Sequence, residues 1–177
     1  MTVVLEPAAW DDDELQRLTT AQQAELRARY DGDTEPGTPP SAADVSVVLV
    51  ARDADGTAVG CGALRALGDG AAEVKRMYVV PSARGRGVSR VLLGGLEVAA
   101  RQRGWTVLRL ETGPRQPEAI ALYEGAGYRP IPAFGAYVEE PDAGCSLYYE
   151  RVLGPDPTGQ AASVSSSSSG SVQARCQ

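Results

Sequence analysis

Residues 73–89 read Glu73-Val-Lys-Arg-Met-Tyr-Val-Val-Pro-Ser-Ala-Arg-Gly-Arg-Gly-Val-Ser89, and this stretch decides how the chain folds. A run of strand formers stops at Pro81, Gly85 and Gly87 follow, and a helical pattern begins at Val88. Glycines at a helix N-terminus let the backbone come close to a ligand, where unpaired N–H groups and the positive end of the dipole favour phosphate. The dipole contributes roughly 0.3 to 1 kcal/mol per interaction, and Arg84 and Arg86 offer charge-assisted contacts in addition. Two familiar phosphate loops do not fit. A dinucleotide-binding turn needs GxGxxG, but Arg90 stands in the third place, and no βαβ unit with a ribose-binding acid follows; a Walker A loop needs GK[ST]. A strand-glycine-helix turn is often only a tight connection, so the phosphate reading depends on its surroundings.

Working outward, Val74, Arg76, Tyr78 and Val80 alternate with Glu73, Lys75, Met77 and Val79, which predicts a strand over Ala72 to Val80. On the other side Val88, Val91, Leu92, Leu96 and Ala99 recur at helical spacing between Gly87 and Gly104, with Arg101 and Arg103 near the negative end of the dipole. Upstream, the valine-rich Val45 to Ala51 and the segment Ala58 to Ala66 form a hairpin across Asp53-Ala54-Asp55-Gly56, and Gly68-Asp69-Gly70 turns the chain into the strand first described. Earlier still, Thr2 to Glu6 reads as a strand. Asp11-Asp12-Asp13 caps a helix reaching about Tyr30, whose apolar face is Leu15, Leu18, Ala21 and Leu26. Asp31 to Ser41, with two glycines and three prolines, is an irregular loop long enough to cover a site. Downstream come a strand over Trp105 to Thr112, a helix from Pro117 to about Gly125 stopped by Gly127, and strands over Tyr128 to Ile131 and Cys145 to Val152. The order β-α-β-β-β-α-β-α-β-β describes a mixed α/β domain over 1–153, with a mostly antiparallel central sheet flanked by helices. Residues 154–177, rich in Ser, Gly and Ala, read as a disordered tail.

Composition narrows the chemistry. The chain has 177 residues and no histidine, which excludes a Ser-His-Asp or Cys-His mechanism and a histidine-ligated catalytic metal. Cys61, Cys145 and Cys176 are odd in number and far apart, so they read as free thiols rather than a metal site or a disulfide framework. A net charge of −6 with scattered arginines argues against a nucleic-acid partner and tilts the reading slightly toward a cationic small molecule. No window approaches the roughly 18 apolar residues of a membrane span, and the first residues lack a secretory pattern, so the expected location is the cytoplasm, with no membrane partner.

The pattern Arg84-x-x-Gly87-x-Ser89 resembles the CoA-binding signature of the GNAT superfamily of N-acetyltransferases. The family usually has glycine or alanine where Ser89 stands, a small departure. Glu73 to Pro81 resembles the family's fourth strand, and Gln116-Pro-Glu-Ala-Ile-Ala-Leu-Tyr-Glu-Gly-Ala-Gly-Tyr128 its late helix and following strand; the similarity covers roughly Val45 to Val152. The resemblance implies the GNAT-like acyl-CoA N-acyltransferase fold, with a bulged fourth strand splayed from the fifth and the pantetheine arm of acetyl-CoA in the gap. It implies that the backbones of Met77, Val79 and Val80 hold that arm, while Arg84, Gly85, Arg86, Gly87, Val88 and Ser89 hold the pyrophosphate. Gln116 stands where the family often has asparagine, so its contact to the pantetheine is made at longer reach or lost.

By the same resemblance Tyr123 is the acid that protonates the departing thiolate. A phenol of reference pKa about 10 can donate to a thiolate whose acid has a pKa near 8.5, and such a donor is typically worth about 10² to 10⁴ in rate. The alternative is a tyrosine packed beside Ile120. Glu73 occupies the place of the family's general base, directly or through water; the alternative is a solvated carboxylate paired with Lys75 or Arg76. Glu111 and Thr112, ending the fifth strand, are candidates to line the acceptor pocket; the alternative is that both are strand-end residues with no role. Taken together, the expectation is direct acetyl transfer from acetyl-CoA to a primary amine of a small molecule or peptide, with the thioester carbonyl polarised by a backbone N–H such as that of Val79 and no metal. Two other classes stay open, an idle acyl-CoA-binding sensor and an α/β interaction domain with a structural glycine turn. Dimers are common in the family, and a homodimer is left open.

Overall fold

The computed structural model describes residues 2–32, 36–139 and 145–154. Among these, seven strands and three helices follow one another in the expected order: β1 Val4–Pro7, α1 Asp13–Arg29, β2 Val45–Arg52, β3 Ala58–Gly68, β4 Ala71–Val79, α2 Val88–Gln102, β5 Val107–Thr112, α3 Pro117–Gly125, β6 Arg129–Ile131 and β7 Leu147–Val152. They form one sheet in the order β1-β2-β3-β4-β5-β7-β6. Every neighbouring pair is antiparallel except β4 and β5. The tail expected beyond residue 154 and Cys176 lie outside the described residues.

Local chemistry explains the element ends. The Asp12 carboxylate accepts from the N–H groups of Glu14 and Leu15 at 2.9 and 3.1 Å, which starts α1 where the aspartate run predicted. The Asp53 carboxylate likewise accepts from Asp55 and Thr57 N–H in the β2–β3 turn. The β3–β4 turn needs three consecutive positive φ angles, at Gly68, Asp69 and Gly70, which glycine and aspartate tolerate best.

The main core lies between the sheet and α2, where Val88, Leu92, Leu93, Leu96 and Ala100 are buried against Leu64, Val74, Leu108 and Leu110. Two expected members of that stripe are displaced. Val91 is exposed and Ala99 only half-buried, because the buried arc is rotated toward Leu93 and Ala100. A second cluster on the opposite face packs Leu15 and Leu18 of α1 on Val48, Val50 and Cys61. Ala21, expected on the apolar face of α1, is exposed. Beyond Thr19 the helix leaves the core, and its remaining inward residues, Gln22, Glu25, Leu26 and Arg29, border a cavity instead.

The strand that opened the sequence reading departs from strict alternation. Cys61 pairs with Tyr78 and Ala63 with Lys75, so Gly62 of β3 faces both Arg76 and Met77 of β4. This is a β-bulge, with Arg76 held at φ +56°. The extra residue reverses the pleat: Val74 and Val79 both point to the α2 side, whereas Tyr78 points to the α1 side. The expectation that Val74 and Tyr78 share a face is therefore corrected.

The splay is equally plain. β4 and β5 pair only through Ala71 with Val107, Ala72 with Leu108 and Glu73 with Arg109, after which β4 follows β3 to Val79 and β5 follows β7 to Thr112. A wedge opens between two strands of one sheet.

Gly60 sits where β3, β4 and α2 meet most tightly. A Cβ there would lie 2.7 Å from the Tyr78 carbonyl oxygen, a backbone atom that cannot swing aside. Gly60→Ala is expected to lower stability by about 1 to 3 kcal/mol in urea unfolding, with an unchanged denaturant slope.

Candidate active site

The wedge between β4 and β5 continues into a cavity of about 220 Å³. Met77 and Val79 form one wall, Gln22 to Arg29 of α1 cover it, Ala119, Leu122 and Tyr123 of α3 close the far side, and Arg84, Gly85, Gly87, Val88 and Ser89 form one end. Most of the residues nominated from sequence are thus brought together, including Gln116 at the start of α3.

At that end the chain makes a short 3₁₀ turn over Pro81–Ala83 and enters α2 through Gly85 and Gly87, at φ +72° and +79°. Nothing lies within 4 Å of where a Cβ would stand at either glycine, so the left-handed backbone rather than crowding demands glycine. Val88 and Ser89 are the first residues of α2, whose N–H groups have no intrahelical acceptor. Arg84 is anchored by its Nε, which donates to the Val79 carbonyl at 3.0 Å. Arg86 is exposed and does not line the cavity.

Strand geometry sorts the backbone groups of β4. The Val80 N–H donates to Val59 of β3 at 2.9 Å and is not available to a ligand, which distinguishes Val80 from Met77 and Val79. Since N–H directions alternate along a strand, the Val79 N–H points the other way, into the wedge. The Met77 carbonyl accepts from Gln22 Nε2 at 2.9 Å. The other amide atom of Gln22, Oε1, is buried and lacks a hydrogen-bond partner, and among the described residues no other buried side-chain polar atom is in that position. An orphan acceptor in a cavity with a glycine-lined cationic end suits a ligand with N–H groups and phosphates, and an acyl-CoA has both. Gln22 carries no motif by which sequence could have found it.

Tyr123 is 6% exposed, with its ring 5.7 Å from that of Tyr128. Burial and then the Glu111 carboxylate raise its phenol well above the ordinary tyrosine range, so it holds its proton at any pH below about 10.

Glu73 is elsewhere. It is fully buried, its carboxylate accepting from Arg65 at 2.6 Å and from the Tyr137 hydroxyl at 2.6 Å, with Lys75 Nζ at 3.5 Å. The solvated carboxylate considered from sequence is corrected: an ion pair exists, but inside the protein. Glu73 borders a second cavity of about 330 Å³ with Asp44, Arg65, Phe134 and Tyr137, not the one that holds Tyr123. Thr38 of the proline-rich loop also borders this second cavity, so the described part of that loop edges it rather than the first. The charge of Glu111 raises the phenols of both Tyr123 and Tyr137, after burial in each case and, for Tyr137, after Glu73 as well. Cys61, buried, has its thiol pushed up to about 12, and its sulfur faces the Arg76 carbonyl at 3.3 Å, which suits a packing role; Cys145 is exposed. Among the described residues no group of side chains could hold a metal ion, and no helix is long and apolar enough to cross a membrane.

Comparison with known proteins matches this geometry. A sequence profile of the acetyltransferase (GNAT) family matches residues 9–128. An IAA acetyltransferase of Azospirillum brasilense is 41% identical over 133 residues, 71% of this chain and 84% of its own. A provisionally assigned acyl-CoA N-acyltransferase structure from Klebsiella pneumoniae superposes with a TM-score of 0.72 at 36% identity, over 86% of this chain and 98% of that one. The PaiA N-acetyltransferase of Thermoplasma acidophilum, solved with coenzyme A, shares the fold with a TM-score of 0.63 at 16% identity, over 86% and 100%.

The buried ionic cluster yields a stability test. Arg65→Met leaves Glu73 buried with its main partner gone and is expected to cost about 3 kcal/mol in urea unfolding; Glu73→Gln, which leaves the buried Lys75 and Arg65 without their shared carboxylate, should cost about as much.

Proposed function

Because the chain belongs to the acetyltransferase (GNAT) family, we propose that it is an N-acetyltransferase that moves an acetyl group from acetyl-CoA to a primary amine of a small molecule or peptide. The observation that carries this reading is the wedge between β4 and β5, which runs from a glycine turn at a helix N-terminus to a buried tyrosine. Acetyl-CoA supplies an acyl group already activated as a thioester. The turn from Arg84 to Ser89 binds its diphosphate through backbone N–H groups, the helix dipole and Arg84. The walls at Met77 and Val79, with Gln22 and Gln116, orient the arm and exclude water from it. The Val79 N–H, directed into the wedge, polarises the carbonyl.

In the transfer, the amine nitrogen bonds to the carbonyl carbon, the carbon–sulfur bond breaks, one proton leaves nitrogen and the sulfur takes one. Tyr123 is the donor to sulfur. At neutral pH the phenol is fully in its acid form, and no enzyme thiol or histidine is required. Glu73 is the candidate receiver of the amine's proton. It reaches the second cavity beside Tyr137, whose hydroxyl donates to it, so the proton would pass by way of that hydroxyl.

Calorimetric titration should give micromolar binding of acetyl-CoA, and an amine panel read by product mass should then identify acetylated products; an absence of binding would overturn the reading. Tyr123→Phe is expected to keep the affinity for acetyl-CoA and lower kcat by about 10² or more, whereas an unchanged kcat removes its role as acid. Glu73→Gln is expected to lower kcat across the whole pH–rate profile. A profile identical to that of the unaltered protein would assign the base to another group.

A further inference from the structure

Three elements bring charge to the phosphate end of the first cavity. Glu25 of α1 stands between two guanidinium groups: its Oε2 accepts from Arg84 at 2.6 Å and its Oε1 from Arg29, one turn further along the helix, at 3.2 Å. Arg29 also pairs with Glu118 in the first turn of α3 and donates to the Arg115 carbonyl at 3.2 Å. All four charged side chains line the cavity. A chain of ion pairs therefore runs from Arg84 through Glu25 and Arg29 to Glu118, tying α1 and α3 to the glycine turn. The Arg84 Nε is committed to the Val79 carbonyl, so the stem is fixed in the wall and only its far end is turned to Glu25.

This arrangement is odd for a site that must receive an anion. Two carboxylates stand beside the helix N-terminus, where negative ligands are favoured, and one of them bridges two guanidiniums in the way a diphosphate would. The Arg84, Glu25 and Arg29 side chains are 40%, 31% and 25% exposed, so the pairs are hydrated and easily exchanged. The carboxylate cannot supply what a diphosphate supplies, because it has fewer acceptor oxygens and half the charge. A diphosphate entering at Gly85 to Ser89 would meet Arg84 first and then, across the cavity, Arg29.

Resting on the reading of this turn as the diphosphate site of an acyl-CoA, we propose that Arg29 is a second cationic ligand of that diphosphate and that Glu25 is its internal competitor, holding both arginines until the phosphates displace it. Glu25 thereby sets the affinity of the site: its attraction for the two arginines is lost before the phosphates gain theirs. Arg29 extends the phosphate site from a single turn to a clamp closed by α1.

The experiment is calorimetric titration of the full chain, as Glu25→Gln, as Arg29→Gln and unaltered, with CoA and with pantetheine, which shares the arm but carries no phosphate, at one salt concentration. Glu25→Gln should tighten CoA binding about threefold to tenfold, Arg29→Gln should weaken it about tenfold, and neither should move pantetheine binding by more than about twofold. Opposite shifts in two variants of one helix cannot arise from a common folding defect. The proposal is overturned if Arg29→Gln binds CoA as tightly as the unaltered protein, if it loses CoA and pantetheine alike, or if Glu25→Gln binds CoA more weakly. An unaltered protein that binds no CoA would instead overturn the acetyltransferase reading on which the proposal stands.

Discussion

The structure depends on a strand that is paired on one side and open on the other. Past Glu73, β4 keeps its ladder with β3 but loses β5, so the N–H and C=O groups on its second edge face a wedge instead of a neighbour. Buried backbone groups without partners are costly, and two side chains reach in to meet them, Gln22 to the Met77 carbonyl and Arg84 to the Val79 carbonyl. The bulge at Arg76 and Met77 shares in this arrangement. It reverses the pleat inside the strand, so that Val79 stays in the α2 core while the backbone beside it lines the opening.

Around that opening the protein separates two electrostatic regions. One is the hydrated end of the first cavity, where arginines and glutamates from α1, α3 and the glycine turn can exchange partners at little cost. The other is the buried cluster of Arg65, Glu73, Lys75 and Tyr137 at the second cavity, where charges out of water must stay paired. Glu111, at the end of β5, acts on tyrosines belonging to both. The first region suits an anionic ligand that comes and goes, and the second suits a fixed geometry.

Much of the fold was legible because it rests on local rules. The Asp12 cap, the turns at Asp53 to Gly56 and Gly68 to Gly70, and the stripe of α2 all follow from short-range chemistry, and each lies close to its expected place. The glycine turn could be read for the same reason, since positive φ and a helix N-terminus are properties of a few consecutive residues. Ala21 and Tyr78 were misplaced for a shared reason. Each was assigned by periodicity, and periodicity assumes a continuous partner: α1 runs off the core onto a cavity, and β4 changes register at a bulge.

The sequence by itself determined the order of the elements, the phosphate-suited turn, the absence of histidine chemistry and the identity of Tyr123 and Glu73 as candidates. Only the tertiary structure decided which of these meet. It set Tyr123 in the cavity of the glycine turn and Glu73 in another, committed the Val80 N–H to β3, and brought Gln22, Glu25 and Arg29 from a distant helix to the site. The physical reason is that burial and hydrogen-bond partnership are properties of the packed chain. Gln22 and Met77 lie 55 residues apart, and no local pattern in either segment encodes the contact that joins them.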